Sequence, residues 1–182
     1  MKTRTLLSYF IVIFTLFSVS SSAQKKGQSY ATIVNSYTIQ RFDLDTIRNI
    51  LFELKGDAQI FTSKYTDLSV RLRKRWKRKK VKVGFQYNLQ YENQEEADLN
   101  GIPEDKYSQI KSDLLCKIYA YDFKKKRIYF GVYEYSYMIN IELINSKTND
   151  FMEFGQLKIV SNHDAIDNNK AAVRLIDQII RE

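Results

Sequence analysis

Apolar positions along the chain fall into short alternating runs and helical stripes, separated by polar and often charged segments. From Ala31 to Ile39, the residues Ile33, Val34, Tyr37 and Ile39 stand among Thr and other polar residues, which reads as a first strand. Asp43 or Asp45 can then cap a helix, because a short carboxylate accepts bonds from the unpaired N–H groups of a first turn. Leu44, Ile47, Ile50, Leu51 and Leu54 follow at spacings of three, three, one and three, an amphipathic helical stripe. Gly56 is a natural stop for that helix, and the short apolar run Ala58–Thr62 reads as a second strand. Thr66–Lys80 carries two periods at once. Leu68, Leu72 and Trp76 recur every four residues after a Thr66/Asp67 cap, whereas Leu68, Val70 and Leu72 alternate. The helix is the preferred reading and the strand its alternative. Val81, Val83, Phe85, Tyr87, Leu89 and Tyr91 alternate strictly and predict a strand.

Glu92–Asp105 is polar and acidic and holds Gly101 and Pro103, so it reads as a loop, with Pro103 opening a short helix through Ser112. Leu114–Phe123 and Ile128–Ile144 flank Lys124-Lys125-Lys126-Arg127, which predicts a hairpin turning on that basic quartet. Ser146–Asp150 is a polar turn into a further strand, Phe151–Val160. Ile166, Ala172, Val173, Ile176, Ile179 and Ile180 form a helical stripe that closes the chain from Asp164 to Glu182. The order β-α-β, a variable segment, α-β-β-β and a final helix predicts an α/β fold, a single mixed sheet layered with helices.

Ahead of these elements, Lys2 and Arg4 precede an uncharged run from Thr5 to Val19, and Ser20-Ser21-Ser22-Ala23 precede polar Gln24-Lys25-Lys26. A basic start, a dozen apolar residues and a small-residue end predict a secretory signal peptide over residues 1–23, cleaved after Ala23. The Leu6–Phe17 heart is shorter than the roughly 20 residues that a spanning helix requires. The expectation is a periplasmic or extracellular protein without a transmembrane span after cleavage. Residues 24–182 would form a single α/β domain, with 66–105 as a variable basic and acidic insertion and 164–182 as the C-terminal helix.

Charge sharpens this picture. The 182 residues hold 29 Lys+Arg against 21 Asp+Glu, a formal net charge of +8, which falls to +6 once Lys2 and Arg4 are removed. Nine of the twelve residues from Arg71 to Lys82 are basic, and the remainder of the mature chain is then acidic, at −3. Arg71, Arg73, Lys74, Arg75, Lys77, Arg78, Lys79 and Lys80, with Trp76 among them, are the candidate site for a partner or an anionic ligand. Such a density of cations attracts sulfates, phosphates or anionic glycans, and an aromatic ring in its midst can stack on a sugar. Two other roles suit the same residues. Leu68, Leu72 and Trp76 can dock the segment on the core, and the acidic Glu92–Asp105 stretch can neutralise it. A secretory start sets nucleic acid aside as a partner.

No motif for catalysis or for a cofactor accompanies the run. One Cys and one His leave no Cys-based zinc site and no histidine relay, and there is no G-x-S-x-G, P-loop or H-E-x-x-H, so the chain reads as a protein without enzymatic activity. Cys116 starts an apolar strand and is expected to be buried, and His163 to flank the last helix. Tyr129, Tyr133, Tyr135 and Tyr137 fall on one strand face with Ile139, Ile141 and Leu143, which predicts a half-buried sheet face under a helix or a platform for sugars.

Two blocks resemble a known family. The first runs from Ile33-Val34-Asn35-Ser36 through Phe42-Asp43-Leu44-Asp45-Thr46-Ile47 to Leu54-Lys55-Gly56 and Gln59-Ile60-Phe61. The second runs from Ser112-Asp113-Leu114-Leu115 through Tyr137–Ile144 to Thr148-Asn149. Together they resemble the penicillin-binding-protein activator family of the LpoB type, whose domain is related to that of the curli secretion lipoprotein CsgG. Ser112 stands where the family has Ala, Phe151 or Phe154 where a Trp follows the turn, and the lipobox cysteine is absent. The resemblance implies a non-catalytic cell-envelope protein that acts by protein–protein contact, its partner a peptidoglycan synthase. The basic segment implies the alternative, a binding module for anionic glycan or lipopolysaccharide.

Overall fold

A computed structural model describes residues 29–182 apart from 42, 130, 162–167 and 182, so the expected signal peptide, His163, Asp164 and Ile166 lie outside the described residues. Six strands form one mixed sheet: β1 (Tyr30–Thr38), β2 (Asn49–Asp57), β3 (Lys82–Gln90), β4 (Leu114–Tyr129), β5 (Val132–Asn145) and β6 (Phe151–Ser161). Their spatial order is β1-β6-β5-β4-β2-β3. β2 runs parallel to both its neighbours, and the remaining pairs are antiparallel. Two longer helices, α1 (Ala58–Lys77) and α3 (Asn169–Ile179), and a short one, α2 (Gln94–Asn100), complete the elements. The fold is the expected α/β class with a single mixed sheet.

Two early elements exchange type. Leu44–Leu54 is not a helix: Leu44–Thr46 makes one 3-10 turn, and Asn49–Asp57 is β2. Asp43 does cap, accepting from the Asp45 N–H at 3.1 Å, but only for that single turn. Ile50, Phe52 and Leu54 alternate into the core, a period concealed by Leu51 on the opposite side. A strand paired in parallel on both sides tolerates such near-continuous apolar sequence. The expected strand Ala58–Thr62 is instead the start of α1, capped by Asp57, whose carboxylate accepts from the Gln59 N–H at 2.9 Å. Ala58, Phe61, Tyr65, Leu68, Leu72 and Trp76 then form one buried stripe. Thr66–Lys77 is therefore helix, entered eight residues upstream of its expected cap.

Where the β2–β4 pairing ends at Lys55 and Tyr119, a side chain takes over from the ladder. The buried Tyr65 hydroxyl donates to the Lys55 carbonyl at 2.6 Å and accepts from the Ala120 N–H at 3.0 Å. Burial pushes its phenol pKa up, beyond any physiological range.

Three later expectations are corrected as well. Glu92–Asp105 is not all loop, because Gln94–Asn100 forms α2, held by a Gln94 to Asp98 side-chain bond at 2.9 Å and closed by the Gly101 N–H to the Ala97 carbonyl. Pro103 opens no helix. Residues 103–110 run along the outer edge of β3, with a turn at 106–109, and there Asp105 accepts from the Phe85 N–H at 2.8 Å and Gln86 donates to the Ser108 carbonyl at 2.9 Å. The β4–β5 hairpin exists, but Lys124–Arg127 lie within β4. The reversal falls at Gly131, whose φ of 75° suits the tight connection between Tyr129 and Val132.

α3 runs from Asn169 to Ile179 within the expected C-terminal helix, whose expected start at Asp164 lies outside the described residues, and it buries Ala172, Val173, Ile176 and Ile179. Asn169 Nδ2 ties its first turn to α1, donating to the Lys64 carbonyl and to Asp67 Oδ2, both at 2.9 Å. α1 and α3 pack on the sheet face formed by Phe52, Phe85, Cys116, Ile141 and Leu157, so the principal core lies between one helical layer and one sheet.

A cationic groove between two helices

The inward stripe of α1 decides where its cations point. With Leu68, Leu72 and Trp76 in the core, Arg71, Lys74, Arg75 and Arg78 lie on the flank that faces α3. The inward stripe of α3 does the same for Lys170 and Arg174, four residues apart and one turn along the helix. These six cations line a groove of about 230 Å³ floored by Val173.

Acidic side chains hold part of the set in place. Asp67 takes Arg71 at 2.7 Å, and the Asp105 carboxylate takes Arg73 at 2.7 Å. Arg73 also lies over the Phe85 ring, 5.0 Å from its centroid, on the β3 side of the helix and away from the groove. Asp177 of α3 is 2% exposed and gathers Arg75 at 2.5 Å, Arg181 at 3.3 Å and Lys79. Burial by itself would raise the Asp177 carboxyl, but the bonds from Lys79 and Arg75 outweigh it and hold the group below the usual carboxylate range. Lys74, Arg78, Lys170 and Arg174 are exposed and have no acidic partner among the described residues. Four charges with no acidic partner among the described residues, at the mouth of one groove, make a focused positive potential.

The basic run thus divides. Arg71, Lys74, Arg75 and Arg78 join the groove, Lys77 and Lys80 stand exposed outside its lining, and Arg73 and Lys79 are engaged by the protein itself. Trp76 is 2% exposed, with Lys79 Nζ 3.8 Å from its ring centroid. It is a core anchor, and its ring is closed to a ligand. Both internal roles read for the run from sequence are present, with Asp105 the acidic-stretch residue that neutralises it. Lys170, Arg174 and Asp177 are the site residues that sequence reasoning missed; the four-residue spacing of the two cations was the available signal.

The other candidates take structural places. Cys116 is fully buried, and burial pushes its thiol up. Tyr137 is buried under α1, its ring 5.4 Å from that of Phe61, whereas Tyr133 and Tyr135 are half-buried beneath Lys125, whose Nζ lies 4.4 and 5.6 Å from their ring centroids. The Tyr129 side chain lies outside the described residues. Asp113, in the second block, accepts from the N–H groups of Arg48 at 3.0 Å and Asn49 at 3.1 Å, which holds its carboxyl below the usual range. Among the described residues no three His, Cys, Asp or Glu side chains group to hold a metal, and no helix is long and apolar enough to cross a membrane.

No protein-family model matches the chain, and no curated protein does. Among solved structures it is similar to the PelC dodecamer from Paraburkholderia phytofirmans, at 8% identity over 85% of this chain and 98% of that one, with a TM-score of 0.49. It is also similar to lipoprotein GNA1162 from Neisseria meningitidis, at 11% identity over 72% of this chain and 96% of that one, TM-score 0.43. A PDZ domain protein from Parabacteroides distasonis matches at 11% identity and a TM-score of 0.43, over 87% of this chain but 38% of its own length. At such identities the likeness is one of backbone shape.

Proposed function

We propose that this chain is a non-catalytic cell-envelope protein that binds an anionic glycan or lipopolysaccharide in the groove between α1 and α3. The observation that carries this reading is the convergence of Lys74 and Arg78 with Lys170 and Arg174 on one groove, with no acidic partner for any of them among the described residues. Exposed cations act here as a set. Each contributes only a fraction of a kcal/mol, and salt screens them within about 10 Å. Replacing all four with glutamine is expected to weaken binding to heparin and to lipopolysaccharide by about 2 kcal/mol, roughly thirtyfold, at low salt. Neutralising Lys124, Lys125, Lys126 and Arg127 at the hairpin end removes the same charge and should change affinity far less. Equal losses from both sets, read by heparin-column elution and calorimetry, would reduce the groove to general electrostatics.

A second reading, contact with a peptidoglycan synthase or another envelope protein, is favoured by β1. This edge strand carries no charged residue, and Tyr30, Val34 and Tyr37 are 47%, 52% and 50% exposed. Uncharged free edges are templates for a partner strand. Retention of a peptidoglycan synthase from envelope extracts, lost on Val34→Lys, supports this reading; no retention by the unaltered chain removes it.

A further inference from the structure

Both longer helices lie on one face of the sheet, so among the described residues the central part of the opposite face is left to its own side chains. One register row crosses all six strands: Asn88, Lys55, Tyr119, Asn140, Gln156 and Asn35. Four of these six are amides. At a strand spacing of ~4.8 Å the row is about 24 Å long.

Its centre is ordered. Tyr119 is 46% exposed, and its ring stacks on that of Tyr121, the centroids 5.6 Å apart and the planes 9° from parallel. Gln156 Nε2 donates to the Tyr121 hydroxyl at 2.8 Å and to Asn140 Oδ1 at 3.1 Å, and that hydroxyl donates to the same Oδ1 at 3.2 Å. Beneath, the Tyr65 hydroxyl bridges the Lys55 carbonyl and the Ala120 N–H, fixing the backbone from which Lys55 and Tyr119 project. A cleft of about 330 Å³ opens among Lys55, Lys117, Tyr119, Asn140 and Glu142.

The charges of this cleft balance. Lys55 Nζ lies 3.1 Å from Glu53 Oε1, and Lys117 stands opposite Glu142 across β4 and β5. The cleft therefore has no net charge to draw an ion, in contrast to the groove on the helical side. Amide groups donate and accept at once, as a sugar hydroxyl does, and an exposed tyrosine ring offers a flat apolar surface to the C–H face of a pyranose. A protein partner would instead seek a core depleted of charge, and Lys and Glu rim this one. We propose that this face binds an uncharged oligosaccharide, laid across the strands along the amide row with one ring on Tyr119. The site lies on the opposite face from the cationic groove and does not depend on the reading given for it.

The test titrates the full chain with cellotetraose, tetra-N-acetylchitotetraose and maltotetraose, followed by calorimetry and tyrosine fluorescence. At least one should bind with little dependence on salt. Tyr119→Ala should weaken that binding at least about tenfold, Asn140→Ala should also weaken it, and glutamine at Lys74, Arg78, Lys170 and Arg174 should leave it unchanged. Because Tyr119 is exposed, its variant keeps the core; an unchanged thermal transition checks this. No binding of any tetrasaccharide at millimolar concentration, or binding insensitive to Tyr119→Ala, overturns the proposal. So does self-association in sedimentation that Tyr119→Ala abolishes, which would assign the face to a second copy of the chain.

Discussion

Replacing Asp177 with asparagine is expected to lower the unfolding free energy by about 3 kcal/mol while raising affinity for anionic ligands. The carboxylate is 2% exposed and serves Arg75, Lys79 and Arg181 together, so its loss leaves three cations, each partly desolvated, without their counter-charge. Arg75 lines the groove, and freeing it strengthens the positive potential there. Stability and binding should thus move in opposite directions, which a merely misfolded variant would not show. The pH dependence has a definite sign. Asp177 is held below the usual carboxylate range, so the folded chain protonates it less readily than the unfolded chain does. Its stabilisation is complete above the unfolded value of about 3.9 and is lost as pH falls through the folded value. The asparagine variant should lack that part of the acid limb. Urea titrations across the acid range measure both effects, and a loss under about 1 kcal/mol would contradict the assigned role.

Gly84→Ala is expected to destabilise by about 2–3 kcal/mol and to release the segment that covers β3. A Cβ at this position would lie 2.1 Å from the Tyr107 carbonyl oxygen and 2.9 Å from its carbon. The obstacle is backbone, so no rotamer change relieves it. Residues 105–110 would have to lift, weakening the bonds from Phe85 N–H to Asp105 and from Gln86 to Ser108. Hydrogen exchange should report faster exchange at Phe85 and slower change elsewhere in the sheet. Protection at Phe85 equal to that of the unaltered chain would show that the segment accommodates the methyl group.

The sequence is most transparent where one period dominates. Val81–Tyr91, Phe151–Val160 and the stripe Ala172–Ile180 show a single period each and appear as β3, β6 and α3. Between Leu44 and Thr62 two periods overlap, because β2 is flanked by strands on both sides and alternates less visibly than an edge strand would. Its helix-like spacing competed with the true signal, Gly56-Asp57, which ends β2 and caps α1. The basic run was legible, but the groove was not. Arg75 and Asp177 stand 102 residues apart, and only the packing of α1 against α3 brings their neighbours into one site. Trp76 is a comparable case. Its four-residue spacing from Leu72 pointed inward, and the charges on either side of it pointed outward; the stripe prevailed, since burying an indole gains more than exposing it among hydrated cations.

β1 has a consequence for the order in which the chain can fold. Among the described residues its strand partner is β6 alone, with Tyr30 opposite Val160, so the first strand of the sheet must wait for the last. Contacts this distant along the chain form late, after the cost of closing a long loop has been met. β2, α1 and β3 can assemble from neighbouring sequence, whereas Tyr30–Thr38 stays an uncharged, strand-prone segment without a mate until residues 151–161 emerge. During synthesis, this segment needs protection from other nascent chains until its mate is made.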